Sequence, residues 1–229
     1  ALTVFVEKFD DDNPRPPSDT KFLLSSSDIS VIDSKFTLSD ENKANVKVLE
    51  FLDLNINATD FLILGPKVKT RINQLAFRDS RGVEVKKMTT NFNFSRSSMV
   101  FDNLYINTLN SEISGDLKFK YDREDLQYFE DKVALVGSFK NSKIALDELN
   151  LFYNEFGVNE FATVNANLTG TLNNLTLNDL YLTTSKETII DGDVKLKNLF
   201  KSTPGNFVMD GKFNRVISKY SDLKSLLPN

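Results

Sequence analysis

The groups in this chain with the spacing to do chemistry are its neighbouring carboxylates: Asp10-Asp11-Asp12, Glu124-Asp125 and the pair Asp191/Asp193. Two carboxylates a few ångströms apart can divide acid and base roles, and an oxygen-rich cluster can hold Ca²⁺. Each of these sets falls in a turn or on the polar phase of a strand, where charge is simply solvated. The aspartate run before Asn13 also lacks the glycine and distal glutamate of a calcium loop. The chain has no His, Cys or Trp. Without His it lacks the usual base near neutral pH, and without Cys it lacks a thiol nucleophile and a thiolate metal site. The expectation is a protein that is not an enzyme and holds no cofactor and no transition metal. Asn57-Ala58-Thr59 and Asn167-Leu168-Thr169 are glycosylation sequons of the kind that arise by chance in an Asn-rich chain.

The elements that would position any site are strands. At 229 residues, 40% hydrophobic and 26% charged, the chain has the composition of a folded protein. Its net charge of −4 is spread along the length, which argues against a nucleic-acid groove. Nineteen Phe suit strands and greasy surfaces. No stretch reaches the roughly 18–20 apolar residues of a membrane span, and no signal peptide is visible. A start at Ala1 and an end at Asn229 suggest a segment of a longer protein, with any anchor or targeting signal elsewhere.

Residues 1–22 are expected to be a lead-in: a short amphipathic helix through Leu2, Phe5, Val6 and Phe9, then a linker broken by Pro14, Pro16 and Pro17. From residue 23 to 229 the period is two. Leu52, Leu54, Ile56 and Ala58 alternate with polar residues, as do Thr90, Phe92 and Phe94, and Leu104, Ile106 and Thr108. The clearest run is Ile113, Gly115, Leu117, Phe119 and Tyr121. Val133, Leu135, Gly137 and Phe139 follow, and later Ile190, Gly192, Val194 and Leu196, then Phe207, Met209, Gly211 and Phe213. Such alternation gives each strand one apolar and one polar face. The pattern predicts roughly 13 strands. Arg78 to Gly82 and Thr203 to Asn206 read as turns, and Leu172, out of step with Leu175, marks a bulge or turn. Asp122 is a candidate cap for a short helix carrying Leu126 and Phe129, and Ser221 for another carrying Leu223, Leu226 and Leu227 before Pro228.

An Asx-Leu phrase recurs at Asp102-Asn103-Leu104, Asp147-Glu148-Leu149 and Asn178-Asp179-Leu180, inside otherwise alternating sequence. Repeats about 30–45 residues apart suggest an extended meander. On periodicity alone the apolar stripe fits either a closed sandwich core or an open groove whose apolar face meets lipid.

Residues 60–121 resemble the TamB/AsmA-like translocation and assembly module family of Bacteroidota. The likeness is carried by Leu75-Ala76-Phe77, Arg81 to Lys87, Met99 to Leu104 and Tyr105 to Leu117, and continues through Phe129 to Val133, Leu168 to Leu175 and Tyr220 to Leu223. It implies an all-β, elongated, repetitive, U-shaped open β-groove with short helical interruptions. It also implies a periplasmic location within an inner-membrane-anchored protein that reaches the outer membrane. The expected work is passive phospholipid transport and support of outer-membrane protein assembly. Partners would be phospholipid acyl chains, a TamA-like barrel of the BamA superfamily and the inner membrane, the last two through parts outside this segment. Nucleic acid is not an expected partner. The residues expected to line the groove are Leu54, Ile56, Phe92, Phe94, Leu117, Phe119, Val133, Leu135, Phe207 and Met209. The alternative is a closed-core scaffold for outer-membrane assembly factors without lipid cargo.

Overall fold

Period-two sequence builds strands, and strands with one apolar face must pair edge to edge before that face can be used. The computed structural model describes residues 22–40, 46–80, 82–150, 157–198 and 207–226. The expected lead-in, the Thr203–Asn206 turn and Pro228 lie outside the described residues. Among the described residues, eleven strands form a single antiparallel meander in which each pairs only with its neighbours in sequence. They are β1 (Leu23–Asp40), β2 (Val46–Leu64), β3 (Lys67–Asp79), β4 (Glu84–Phe94), β5 (Ser98–Thr108), β6 (Glu112–Lys120), β7 (Ala134–Ala145), β8 (Phe161–Thr171), β9 (Asn174–Thr184), β10 (Ile189–Lys197) and β11 (Val208–Ile217). β1 and β11 do not meet, so the sheet stays open along its length. The fold is an elongated open β-groove, about 50 Å from first strand to last at the ordinary interstrand spacing.

Among the described residues, helix occurs only between strands or after the last one. A 3-10 helix (Arg123–Tyr128) runs into α1 (Phe129–Lys132) between β6 and β7, α2 (Leu146–Leu149) follows β7, and α3 (Tyr220–Leu226) follows β11. At the first of these the Asp122 N–H donates to Asp125 Oδ2 at 2.9 Å, which fixes the turn where the sequence placed it.

Eleven described strands replace the 13 expected because β1 and β2 are unbroken over 18 and 19 residues. Their polar interruptions are bulges, not turns. Asp33, Asp53 and Asp60 take left-handed backbone conformations with φ of 43°, 53° and 55° inside strands that continue past them. Asn103, Asn141 and Asp179 do the same in β5, β7 and β9. Asn and Asp tolerate this region because their short polar side chains bond locally. One extra residue at each bulge shifts the phase, so apolar residues three apart face the same way: Phe51 and Leu54, Phe101 and Leu104, Leu177 and Leu180. For the same reason Leu52 does not share a face with Leu54; its cross-strand partner is Arg78.

Two further expectations are corrected. Asp147-Glu148-Leu149 is not a strand copy of the repeat but part of α2. Leu146 and Leu149, three apart, fall on one helical face, and acids in the first turn suit the helix dipole. Ser221 is not the start of the last helix, which begins one residue earlier at Tyr220.

Candidate functional site

The apolar face is organised as cross-strand rows. One row near a lip of the sheet crosses all eleven strands: Leu24, Ile63, Val68, Phe94, Met99, Phe119, Leu135, Gly170, Leu175, Leu196 and Met209. Every member is apolar or glycine. The next row inward runs Thr70, Phe92, Phe101, Leu117, Gly137, Leu168, Leu177, Val194 and Gly211. A deeper one holds Val31, Ile56, Leu75, Met88, Ile106 and Ile113. The opposite face of the same strands carries Lys69, Asn93, Val100, Lys118 and Val136 in one row. The outcome is a two-faced sheet with a continuous apolar lane.

The expected lining residues distribute on this lane as follows. Phe94, Phe119, Leu135 and Met209 share the lip row, and Phe92 and Leu117 are neighbours in the next. Leu54 and Ile56 sit on the same face beyond the Asp53 bulge. Val133 lies outside the strands, fully buried at the C-cap of α1. Phe207 precedes β11 and is half exposed.

The degree of burial matters more than the identity of the residues. In a closed sandwich these side chains would be covered. Here Phe92, Phe94, Leu117 and Phe119 are only half-buried, and Met209 is 62% exposed. Leu54, Leu104, Leu135 and Leu175 on the same face are buried, as is a small patch of Ala166, Leu180 and Val194. Ring contacts run across the lane from Phe92 to Phe101 at 5.0 Å, Phe101 to Phe119 at 5.9 Å and Phe119 to Phe129 at 5.4 Å. Phe101, central to this chain of rings, escaped the sequence reading because its spacing of three from Leu104 breaks alternation.

Two pieces of cover lie on the lane. At one lip Phe129 of α1 seats on Phe119, and the Asn173 N–H donates to the Glu130 carbonyl at 3.0 Å. At the other lip Leu146 of α2 packs with Ala162, Leu149, Val164 and Leu182. Glu148 holds α2 in place: Oε2 accepts from Thr108 Oγ1 at 2.7 Å and from Ser111 Oγ, and Oε1 accepts from the Asn110 N–H at 2.9 Å. Lys186 Nζ donates to Glu160 Oε1 at 2.5 Å and to Ser225 Oγ at 2.6 Å, tying α3 to the same lip.

Of the carboxylates singled out at the start, Asp10 to Asp12 lie outside the described residues, and Asp125, Asp191 and Asp193 have structural roles. Asp125 caps the turn at Asp122, and Asp193 Oδ1 accepts from the Asp179 N–H at 3.0 Å. Asp191 Oδ1 accepts from Asn214 Nδ2 at 3.2 Å. Among the described residues no group of three or more His, Cys, Asp or Glu is placed to hold a metal, and no helix is long and apolar enough to cross a membrane. Burial pushes the Tyr121 phenol up to about 12, and its hydroxyl donates to the Ser95 carbonyl at 3.1 Å. No family model matches the chain, and neither a curated protein nor a solved structure is significantly similar to it.

Proposed function

We propose that the apolar lane receives phospholipid acyl chains, and that the chain is a segment of a TamB-like protein spanning the periplasm. In this reading it conducts phospholipid passively between inner and outer membranes and supports outer-membrane protein assembly. The inner-membrane anchor and the TamA-like barrel partner belong to parts outside the segment. The observation that carries the reading is the row from Leu24 to Met209, apolar or glycine on all eleven strands and only partly covered. Burial of apolar surface is favourable by roughly 25 cal/mol per Å², so a half-covered lane gains stability from an apolar ligand. A lane of about 50 Å exceeds the roughly 15 Å thickness of one hydrocarbon leaflet about threefold. It therefore offers a continuous path, not a single-ligand pocket. No energy source is required for such a path, because it lowers the cost of exposing acyl chains to water.

Leu117→Arg tests the proposal. In an open lane the arginine head reaches water past the lip, so the protein stays folded while phospholipid loading, read by mass spectrometry of the purified protein, drops. In a closed core the same change costs several kcal/mol and unfolds the domain. A folded Leu117→Arg protein loaded to the wild-type level overturns the lane.

A further inference from the structure

The lip carrying the all-apolar row has a chemical pattern on its outer side as well. Three strands end there in a Lys-apolar-Lys triplet: Lys67-Val68-Lys69 opens β3, Lys118-Phe119-Lys120 closes β6, and Lys195-Leu196-Lys197 closes β10. The middle residues, Val68, Phe119 and Leu196, are all members of the lip row. Alternation therefore puts each flanking lysine pair on the outer face at one level of the sheet, with the two ammonium groups of a pair roughly 7 Å apart along the strand. Lys67, Lys120 and Lys197 are the terminal residues of their strands, at the lip itself. The β3 and β6 triplets stand about 14 Å apart and the β6 and β10 triplets about 19 Å.

These lysines are available. Five are exposed and Lys118 is half-exposed, and among the described residues none of the six forms an ion pair. Acids share this lip: Asp116 and Asp193 lie two residues from Lys118 and Lys195 on the same strand phase, where their carboxylates accept from the Asn103 and Asp179 N–H groups, and the connection after Lys120 carries Asp122, Glu124, Asp125, Glu130 and Asp131. Asp210 stands across from Lys195 in the strand register. Asp122 and Asp125 line an open concavity with Lys118 and Lys120, and Asp125 is paired with Lys132 at 3.8 Å. At the opposite lip, among the described residues, Lys143 lies across from Glu112 and Arg78 pairs with Asp53.

We infer that this lip recognises the phosphate headgroup of an amphiphile whose acyl chain lies in the lane. The inference rests on the lane reading and adds the headgroup chemistry to it. A flexible lysine stem bridges the lip from the outer face, and a point-charge ammonium suits a phosphate that passes from one triplet to the next. Weak, repeated contacts of this kind guide a headgroup without trapping it.

The test uses the whole chain and three probes below micelle-forming concentrations: dodecyl phosphate, dodecyl maltoside and inorganic phosphate. The variant replaces all six lysines with Gln, and the control replaces Lys87 and Lys140. The expected result is dodecyl phosphate binding that weakens about tenfold or more in the six-lysine variant and is unchanged in the control. Raising salt from about 20 to about 300 mM weakens wild-type binding in the same way. Dodecyl maltoside binding is unmoved by either change, and inorganic phosphate alone does not bind. Circular dichroism confirms that the variant is folded, and the salt series on unaltered protein decides the matter if it is not. Equal dodecyl phosphate binding by variant and wild type overturns the headgroup site and leaves the lane standing. Inorganic phosphate binding as tightly as dodecyl phosphate makes the lip a bare anion site and also overturns it. Failure of both dodecyl probes to bind removes the lane, and the inference with it.

Discussion

The backbone N–H of Asn103 donates to Oδ1 of Asp116 on the neighbouring strand at 2.8 Å. The same bond joins Asp33 to Asn55 at 3.1 Å, Asn141 to Asn165 at 2.8 Å and Asp179 to Asp193 at 3.0 Å. Each time, the donor is a left-handed bulge residue whose N–H has left the strand ladder, and the acceptor is an Asn or Asp side chain one strand on. This is the physical content of the Asx-Leu phrase. The Asx absorbs the positive φ, the neighbour's side chain satisfies the freed N–H, and the following Leu104 or Leu180 turns into the apolar face and is buried.

Removing that acceptor has a defined cost. Asp116→Ala is expected to destabilise by about 1–2 kcal/mol, and Asp116→Asn by less, since the amide oxygen still accepts. Urea unfolding of the three proteins measures this. Equal stability of Asp116→Ala and wild type would show that the bulge stands without its partner.

Glycine at two matching positions allows neighbouring strands to approach. Gly115 lies across from Leu104 and Phe139, and Gly192 across from Leu180 and Phe213. A Cβ at Gly115 would fall on the Ser138 carbonyl oxygen, and one at Gly192 on the Lys212 carbonyl oxygen. Gly115→Ala is therefore expected to cost about 1–3 kcal/mol, as overpacking against backbone does. Thermal melting would show it as a clear drop in Tm.

An open lane makes large aromatic side chains cheaper to lose than a closed core would. Phe101→Ala removes a half-buried ring with two ring neighbours. The expected cost is about 1–2 kcal/mol, below the roughly 3–5 kcal/mol of a fully buried Phe. A measured loss near 5 kcal/mol would indicate that the face is covered.

Tyr121 gives a pH signature. Its folded pKa, raised to about 12 by burial, exceeds the unfolded value of 10.0. The folded state therefore holds this proton more tightly. Its contribution to stability is whole below about pH 10 and is lost as pH rises from there through 12. An ultraviolet phenolate titration should contain one late component that disappears in Tyr121→Phe.

Much of this architecture was legible in the sequence. The run from Ile113 to Tyr121 fixes the phase of β6, and that phase places Leu117 and Phe119 in the lane. Bulges were harder to read, because an inserted Asx looks like a turn residue until the strand is seen to continue past it. Alternation carried straight through Asp53 therefore put Leu52 on the wrong face, and Phe101 was missed. The helical phrase at Asp147 was hidden because it shares its letters with the strand repeat, while its fate is set by Leu146 and Leu149 on one helical face. Alternation alone could not distinguish a covered face from an open one. That depends on whether a second layer exists, a long-range property which no local pattern encodes.

The central claim is that the phase containing Phe119 faces acyl chains and the phase containing Lys118 does not. Its most direct measurement places a photo-crosslinking residue at position 117, 118 or 119 in cells and assays each protein for adducts formed on lipid acyl chains. Adducts at 117 and 119, with little or none at 118, are the predicted result. Equal labelling at 118 and 119, or none at any position in folded protein, would contradict the conduit and leave a scaffold without lipid cargo.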